Sequence, residues 1–492
     1  MEGPSVIERI PVLSAFEGFM MIVSQMIGSG IFSSPGQILA MVGAPGTAII
    51  LWFIGSLVSL CGSLSYIELG TMIPRSGGER AYLDSVYKWT KQLIPFLFCW
   101  TMILCIRPGA AAANSTVSAE FILYAILGSQ ESKDRFLGIT WAEWIRRIIA
   151  FLAISLVTLT YGIRIKLAIR IHIAIGMMKL LLLTIFCCCG FFVFIGLIDV
   201  PKTQIWSEPF KNTSPQFGNY ISSLYRILWS FDGWGILTFS VGDINNARKI
   251  LPRAGIAGVI VTSVLYILTN IAYFTVIPYE VAIHSNDIIS AIYTRIIFGE
   301  TFGSRVLPIF LGLGLYGSVS AVTYSVTRII LSAAEAGYIP FKEAFLKLHP
   351  KLQTPVNALL LNWGITSIYI FAPPSEQAFD VVVGILRFPT WIFYGVAIFG
   401  LMCLRVRQPK APRPFRVWSI AIVFFFLVCI LLVIPFVVPL SANSPYIPDL
   451  WVGAIALGII LAGVPVWYLK IYRHLPTDIE KEDLRSVRIE SD

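Results

Sequence analysis

Charge is what this sequence has least of. Asp, Glu, Lys and Arg make up 13% of its 492 residues, against roughly a quarter in an average soluble protein. Hydrophobic residues reach 56%, and no water-soluble core hides that much apolar surface, so a soluble globular enzyme is excluded. Histidine is scarce as well: His172, His284, His349 and His474 stand at segment ends or in polar stretches, and no two share a helical spacing. A membrane enzyme would want His, Asp or Cys gathered for acid–base or metal chemistry, and this sequence does not cluster them. All eight cysteines (Cys61, Cys99, Cys105, Cys187, Cys188, Cys189, Cys403, Cys429) lie inside apolar runs. That leaves no disulfide framework and no CxxC metal pattern, and no cofactor or metal is expected. Nor is a cleavable leader expected, because the first apolar run follows a short mixed-charge stub and leads into one apolar run after another.

Those apolar runs are what the chain has in abundance. A membrane-spanning helix takes about 20 apolar residues, and the sequence supplies enough for twelve. Spans are expected near residues 14–38, 45–70, 95–127, 146–163, 172–198, 219–242, 255–278, 305–334, 355–372, 379–404, 417–440 and 450–470. They make one domain over 14–470, between an N-terminal stub (1–13) and a charged C-terminal tail (471–492) expected to be disordered. With the N-terminus in the cytosol, twenty-four Lys and Arg fall in inner segments and eight in outer ones. Such a bias puts both termini in the cytosol. The net charge of +9 then belongs to the inner loops, and no nucleic acid partner is expected. Five basic residues (Arg107, Lys179, Arg226, Arg328, Arg387) and three acids (Glu68, Glu120, Asp232) remain within or at the edge of spans. A charge there is costly, so each is a candidate for function or for a buried pair. Arg328 has Asp243 and Glu335 as candidate partners for an inner gate.

The first span carries Met26-Ile27-Gly28-Ser29-Gly30-Ile31-Phe32. Glycine costs a helix interior about 1 kcal/mol relative to alanine, and for an isolated Gly-x-Gly close helix packing is the simpler explanation. The sixth span, five helices later, has its own interruption: Trp229-Ser230-Phe231-Asp232-Gly233-Trp234. Paired breaks at corresponding positions of two five-helix halves point to an inverted-repeat transporter. Unwinding at Gly28–Gly30 frees amides at a helix N-terminus, which suit a carboxylate. Carbonyls freed near Met26, Ile27 and Trp229 suit an ammonium. A site offering both fits the head group of an α-amino acid, provided the exposed backbone lines a cavity.

On these residues the chain resembles the L-type amino acid transporter branch of the amino acid–polyamine–organocation superfamily, taken broadly enough to include fungal methionine-permease-like members. The motifs run in order from about Ser14 to Lys470: Gly28-Ser29-Gly30-Ile31-Phe32; Glu68-Leu69-Gly70, Gly77-Gly78-Glu79 and Tyr82-Leu83; Arg107-Pro108; Lys166, Arg170 and Lys179; Leu251-Pro252; Arg328; and Trp391. The resemblance implies an all-α membrane protein of twelve helices. Its expected plan is a LeuT-type 5+5 inverted repeat with broken helices 1 and 6, plus two C-terminal helices. It implies alternating-access, sodium-independent transport of L-amino acids by exchange or a related mode, in the plasma membrane. Neutral substrates, large or methionine-like, are expected first, with cationic ones as a further option. Ser29 and Gly30 would meet the carboxylate. Met26 and Trp229 carbonyls would lie near the amine, the Trp229 ring would close over substrate, and Trp391 would line the site. Lys179 would stand where sodium-coupled relatives of the fold hold sodium.

The resemblance leaves several roles open. The Trp-x-x-Asp-Gly-Trp pattern through Asp232 and Gly233 is closest to the branch handling dibasic amino acids and cystine. Asp232 would then recognise a cationic side chain or the amine, unless Arg387 pairs with it, or its carboxylate merely accepts backbone hydrogen bonds. Lys179 has a plainer alternative as a snorkelling helix-end lysine. Glu68 and the Gly77–Tyr82 stretch are expected to pack and gate the inner vestibule, and Arg107 to cap polar groups at the site's periphery. Human-type members of the branch join a glycoprotein heavy chain through a cysteine in the loop after the third span. Here Gly128 to Trp144 has no cysteine, so no disulfide-linked heavy chain is expected. A sensor of the same fold, binding amino acids without moving them, is the alternative function.

Overall fold

A computed structural model describes residues 13–75, 77–127, 139–200, 203, 205–244, 246–285, 289–373, 376–436 and 449–474. Helix α1 (Ala15–Met26) begins at a reciprocal cap: Ser14 Oγ accepts from Glu17 N at 3.2 Å, and Glu17 Oε2 accepts from Ser14 N at 2.8 Å. Such a cap contributes about 1 kcal/mol. The helix stops at the glycines, and α2 (Gly30–Val42) resumes at 41° to it. Pro45 then opens α3 (Pro45–Met72), the second span, as the fixed φ of proline favours. After the short α4 (Glu79–Val86), the third span runs from α5 (Leu93–Thr101) through a π-helical turn at Met102–Ile106 into α6 (Arg107–Leu127).

The fourth and fifth spans are α7 (Ile139–Ile163) and α8 (Ile165–Phe194). The sixth is broken: α9 (Phe217–Ser230) ends before Asp232 and continues as a 3-10 segment, Ile236–Asp243. Helix α10 (Ala247–Val276) is the seventh span; α11 (Tyr279–Ile283) and α12 (Ile289–Phe298) lead to α13 (Leu307–Glu335), the eighth. Beyond α14 (Lys342–Leu346) lie α15 (Val356–Phe371), α16 (Glu376–Arg407), α17 (Ser419–Val433) and α18 (Asp449–Lys470). Each of the twelve expected spans meets a helix or a broken pair. Among the described residues the only β-type pairing is an isolated bridge between Leu13 and Ile244.

Small residues decide which helix sits innermost. The apolar stretch of α13 is 72% buried, against 28% for α8 and α18. It is rich in glycine and serine, which let neighbours approach closely: a Cβ on Gly317 would lie 2.7 Å from Ile175 Cγ2, and Ser118 Oγ donates to Gly312 O at 2.8 Å. Outer faces are apolar instead. Leu152, Leu156 and Leu159 on α7 and Leu181 on α8 are all more than half exposed, an arrangement stable only where the surrounding solvent is lipid.

Two buried ion networks tie the inner ends. Arg328 on α13 reaches Asp243 Oδ2 at 2.6 Å, and Tyr324 donates to the same oxygen at 2.7 Å. Leu13 N donates to Asp243 O at 2.7 Å, so the N-terminal segment joins the same knot. Of the two partners expected for Arg328, this is Asp243. Glu68, on α3, accepts from Arg405 Nε at 3.0 Å and from Val417 N at 2.8 Å, with Arg413 Nε at 3.6 Å. It therefore pins the segment between α16 and α17 onto α3, a role more static than the vestibule gating expected of it.

Candidate functional site

The two helix breaks touch. A Cβ on Gly30 would lie 2.0 Å from Ser230 Oγ and 2.8 Å from Ser230 Cα. One on Gly233 would lie 2.2 Å from Gln25 Cγ, and Gly233 also has φ +120°, a conformation that side-chain-bearing residues rarely adopt. Tyr266, fully buried on α10, brings its hydroxyl within 2.5 Å of Met26 O and 3.0 Å of Ser230 O, one carbonyl from each break. The turn at the first break is closed by Gly28 N donating to Met26 O at 2.7 Å. Beyond it, Ser29 O accepts from Phe32 N and Ser33 N, while the amides of Ser29 and Gly30 stand at the N-terminal end of α2. The amide end of a helix at mid-membrane attracts a carboxylate.

One expectation changes here. Met26 O accepts from Gly28 N and lies within bonding reach of Tyr266, and Trp229 O accepts from Asp232 N at 3.1 Å. In this conformation the carbonyls of Met26 and Trp229 are engaged inside the protein rather than held open for an ammonium. The physical reason is that buried carbonyls find partners wherever the fold supplies a donor.

Two small cavities open at the breaks. One, of about 20 Å³, is lined by Gln25, Met26, Gly28, Ser29, Gly30, Ala110, Asn114, Trp229, Asp232 and Ser318. The other, of about 60 Å³, is lined by Arg107, Ala110, Tyr225, Trp229, Asp232, Trp234, Arg387, Trp391, Tyr394 and Phe425, among others. Ala110, Trp229 and Asp232 border both. The first is mostly backbone and small polar groups, the second mostly aromatic. Ile27 faces neither; with Gly28, Ser29 and Lys179 it lines a third, smaller space of about 10 Å³.

Lys179 is buried at 2% exposure, and its Nζ donates to Ser24 O at 2.8 Å and Ser318 Oγ at 3.0 Å. Gly314, whose Cβ would lie 3.1 Å from Lys179 Cε, gives the side chain its channel. The ammonium thus links α8 to α1 and α13 beside the first break, and it does not snorkel to the surface. Among the described residues no carboxylate lies within ion-pair distance of it. Its charge is answered by neutral oxygens, the kind of ligand set that also suits a monovalent cation.

Asp232 takes a hydrogen bond from Tyr394 at 3.5 Å and faces Arg107 as its nearest opposing charge. Arg387 lines the same cavity but is not the ion-pair partner of Asp232, which corrects the expected pairing. The reason is positional: Arg107 follows the π-helical turn of the third span and is buried against the Phe239 ring at 4.9 Å. This also moves Arg107 from the periphery into the cavity wall. Trp391 packs edge-on against Tyr394 at 5.6 Å, and Trp229 stands between the cavities. Sequence reasoning missed Tyr266, Tyr225, Tyr394 and Asn114. An aromatic hydroxyl in mid-span is the one signal that offered the tyrosines; Asn114 had been set aside as part of an in-span glycosylation sequon.

The amino acid permease family pattern matches residues 13–462. The chain is 29% identical to the human cystine/glutamate transporter over 461 residues, covering 93% of this chain and 85% of that protein. It is 26% identical to the mouse b(0,+)-type amino acid transporter 1 over 456 residues, 92% of this chain and 87% of the relative. With the high-affinity methionine permease of Saccharomyces cerevisiae (strain ATCC 204508 / S288c) it shares 27% identity over 465 residues, 93% and 78%.

Proposed function

The chain belongs to the amino acid permease family, and on that premise we propose that this integral membrane protein transports L-amino acids by sodium-independent alternating access, with neutral, large or methionine-like side chains preferred. The observation that carries the reading is the contact of the two breaks at Gly30 and Ser230, with a backbone-lined cavity on one side and an aromatic one on the other. A zwitterionic head group suits the first and a side chain the second. The cavities are too small for a whole amino acid, so substrate enters as the breaks part and the Trp229 ring moves. Arg107 answers the Asp232 charge, which favours neutral side chains. Cationic ones need Asp232 to exchange that partner for the substrate.

Sodium independence rests on Lys179, whose fixed ammonium takes up Ser24 O and Ser318 Oγ. The single transporter domain over 14–470, cytosolic termini, a plasma-membrane location and the absence of a disulfide-linked heavy chain belong to the same reading. The basic-residue bias supports the orientation; the loop in which a linking cysteine would stand includes residues 128–138, outside the described residues. The test is uptake of labelled methionine, leucine and arginine into proteoliposomes without sodium, with and without internal amino acid. Uptake of the neutral pair supports the carrier, and stimulation by internal substrate identifies exchange. Binding without flux of any of the three overturns it.

A further inference from the structure

Beside the aromatic cavity lies an acid that the transport cycle above does not use. Glu79 opens α4, outside the spans, yet is only 1% exposed. It is drawn in by Gly78, where φ is +55° and a Cβ would lie 2.7 Å from the Phe239 ring. That is the ring over which the Arg107 guanidinium sits. Three buried polar atoms from three elements are left without a hydrogen-bond partner in this region: Glu79 Oε2, Tyr66 Oη on α3 and Arg107 Nε on α6. Buried polar atoms are almost always satisfied, by protein, by water or by a proton. The ionisable groups facing Glu79 are Tyr66, Tyr82, Cys99, Arg107, Asp232 and Tyr394. Arg107 is the single cation among them, and it also faces Asp232. One guanidinium is therefore shared between two carboxyls. Tyr66 meets Tyr394 edge-on at 5.8 Å, and Tyr394 donates to Asp232, so hydroxyl-bearing rings join Glu79 to the cavity wall.

We propose that Glu79 is a proton-binding site coupled to the substrate cavity, so that this carrier moves a proton together with its amino acid. The inference rests on the carrier reading above. A proton from water on one side converts the Glu79 carboxylate to the acid and leaves again to water on the other, with no other bond made or broken. Burial holds this carboxyl up at about 7 against the opposing pull of Arg107. It is therefore charged in alkaline medium and neutral in mildly acidic medium.

The experiment uses the full chain in proteoliposomes that enclose a pH-sensitive dye. An acid-outside gradient should accelerate methionine uptake several-fold and acidify the lumen in step with it. Glu79→Gln, a fixed neutral mimic of the protonated state, should lose both responses yet still exchange external for internal methionine without a gradient. Wild-type exchange that ignores the gradient overturns the inference and spares the carrier. No exchange of methionine, leucine or arginine overturns the carrier and the inference with it. Should Glu79→Gln not fold, proton uptake by wild-type protein on methionine addition in weakly buffered detergent decides: a signal is expected, its pH midpoint moved in Glu79→Asp, and its absence overturns the proposal.

Discussion

At Gly30 a single added carbon would stand 2.0 Å from Ser230 Oγ and 2.8 Å from its Cα. The side-chain oxygen can turn away, but the Cα belongs to the other break and cannot. Gly30→Ala is thus expected to push the two breaks apart, at an overpacking cost of about 1–3 kcal/mol, and to cut methionine uptake at least about tenfold. Pairing it with Ser230→Gly should restore part of the rate, because the oxygen clash is then gone; no recovery in the double variant would count against direct contact of the breaks. Asp232→Asn makes a different prediction. Arginine uptake should fall by about tenfold or more, the equivalent of 1.4 kcal/mol, while methionine uptake holds. Affinity unchanged for every amino acid would remove Asp232 from substrate recognition. The glycines, Trp229, Asp232 and Trp391 were legible because helix-averse or bulky polar residues in mid-span have few innocent explanations. Tyr266 and the true place of Arg107 were not, since each depends on a contact with a residue well over a hundred positions away.

The moving parts are elements rather than residues, and two polar ties cross between them. Lys179 holds α8 to α1 and α13, and Arg328 with Tyr324 holds α13 to the 3-10 segment through Asp243. The sequence offered both cations as charges too costly to be accidental. It could not choose between Asp243 and Glu335, because that choice depends on the 3-10 turn that aims Asp243 at α13. Removing one partner of a buried ion pair costs about 3–5 kcal/mol. Here the loss falls on the conformation closed to the cytosol, so Arg328→Ala should shift the population towards inward-open by on the order of a hundredfold or more. Apparent affinity for external methionine should weaken accordingly. Asp243→Asn should do much the same. The double variant should be scarcely worse than either single one, as expected for residues acting as a pair; additive losses in that cycle would mean that the two act separately. Lys179→Ala removes the other tie and is expected to abolish uptake without loss of folded protein by gel filtration.

Across the whole molecule, the argument for sodium independence turns on where positive charge is already supplied. Alternating access needs a carrier that closes around substrate on one side and reopens on the other, and in a lipid setting every charge in that path must be answered. This chain answers its first break with a covalently held ammonium set between a backbone carbonyl and a serine hydroxyl on two different helices. A sodium ion entering there would meet the same two oxygens already bonded and a like charge within contact distance. Binding energy for sodium is then lacking at that place, and a sodium gradient has nothing to act on. Replacing external sodium by choline should change methionine uptake by less than about twofold, which is under half a kcal/mol. An inward proton gradient, by contrast, should raise it. If sodium accelerated uptake tenfold, Lys179 would not be occupying the ion's place. The polar oxygens of Ser24 and Ser318 would then have to be read as a structural cap on a buried lysine rather than as a filled cation site.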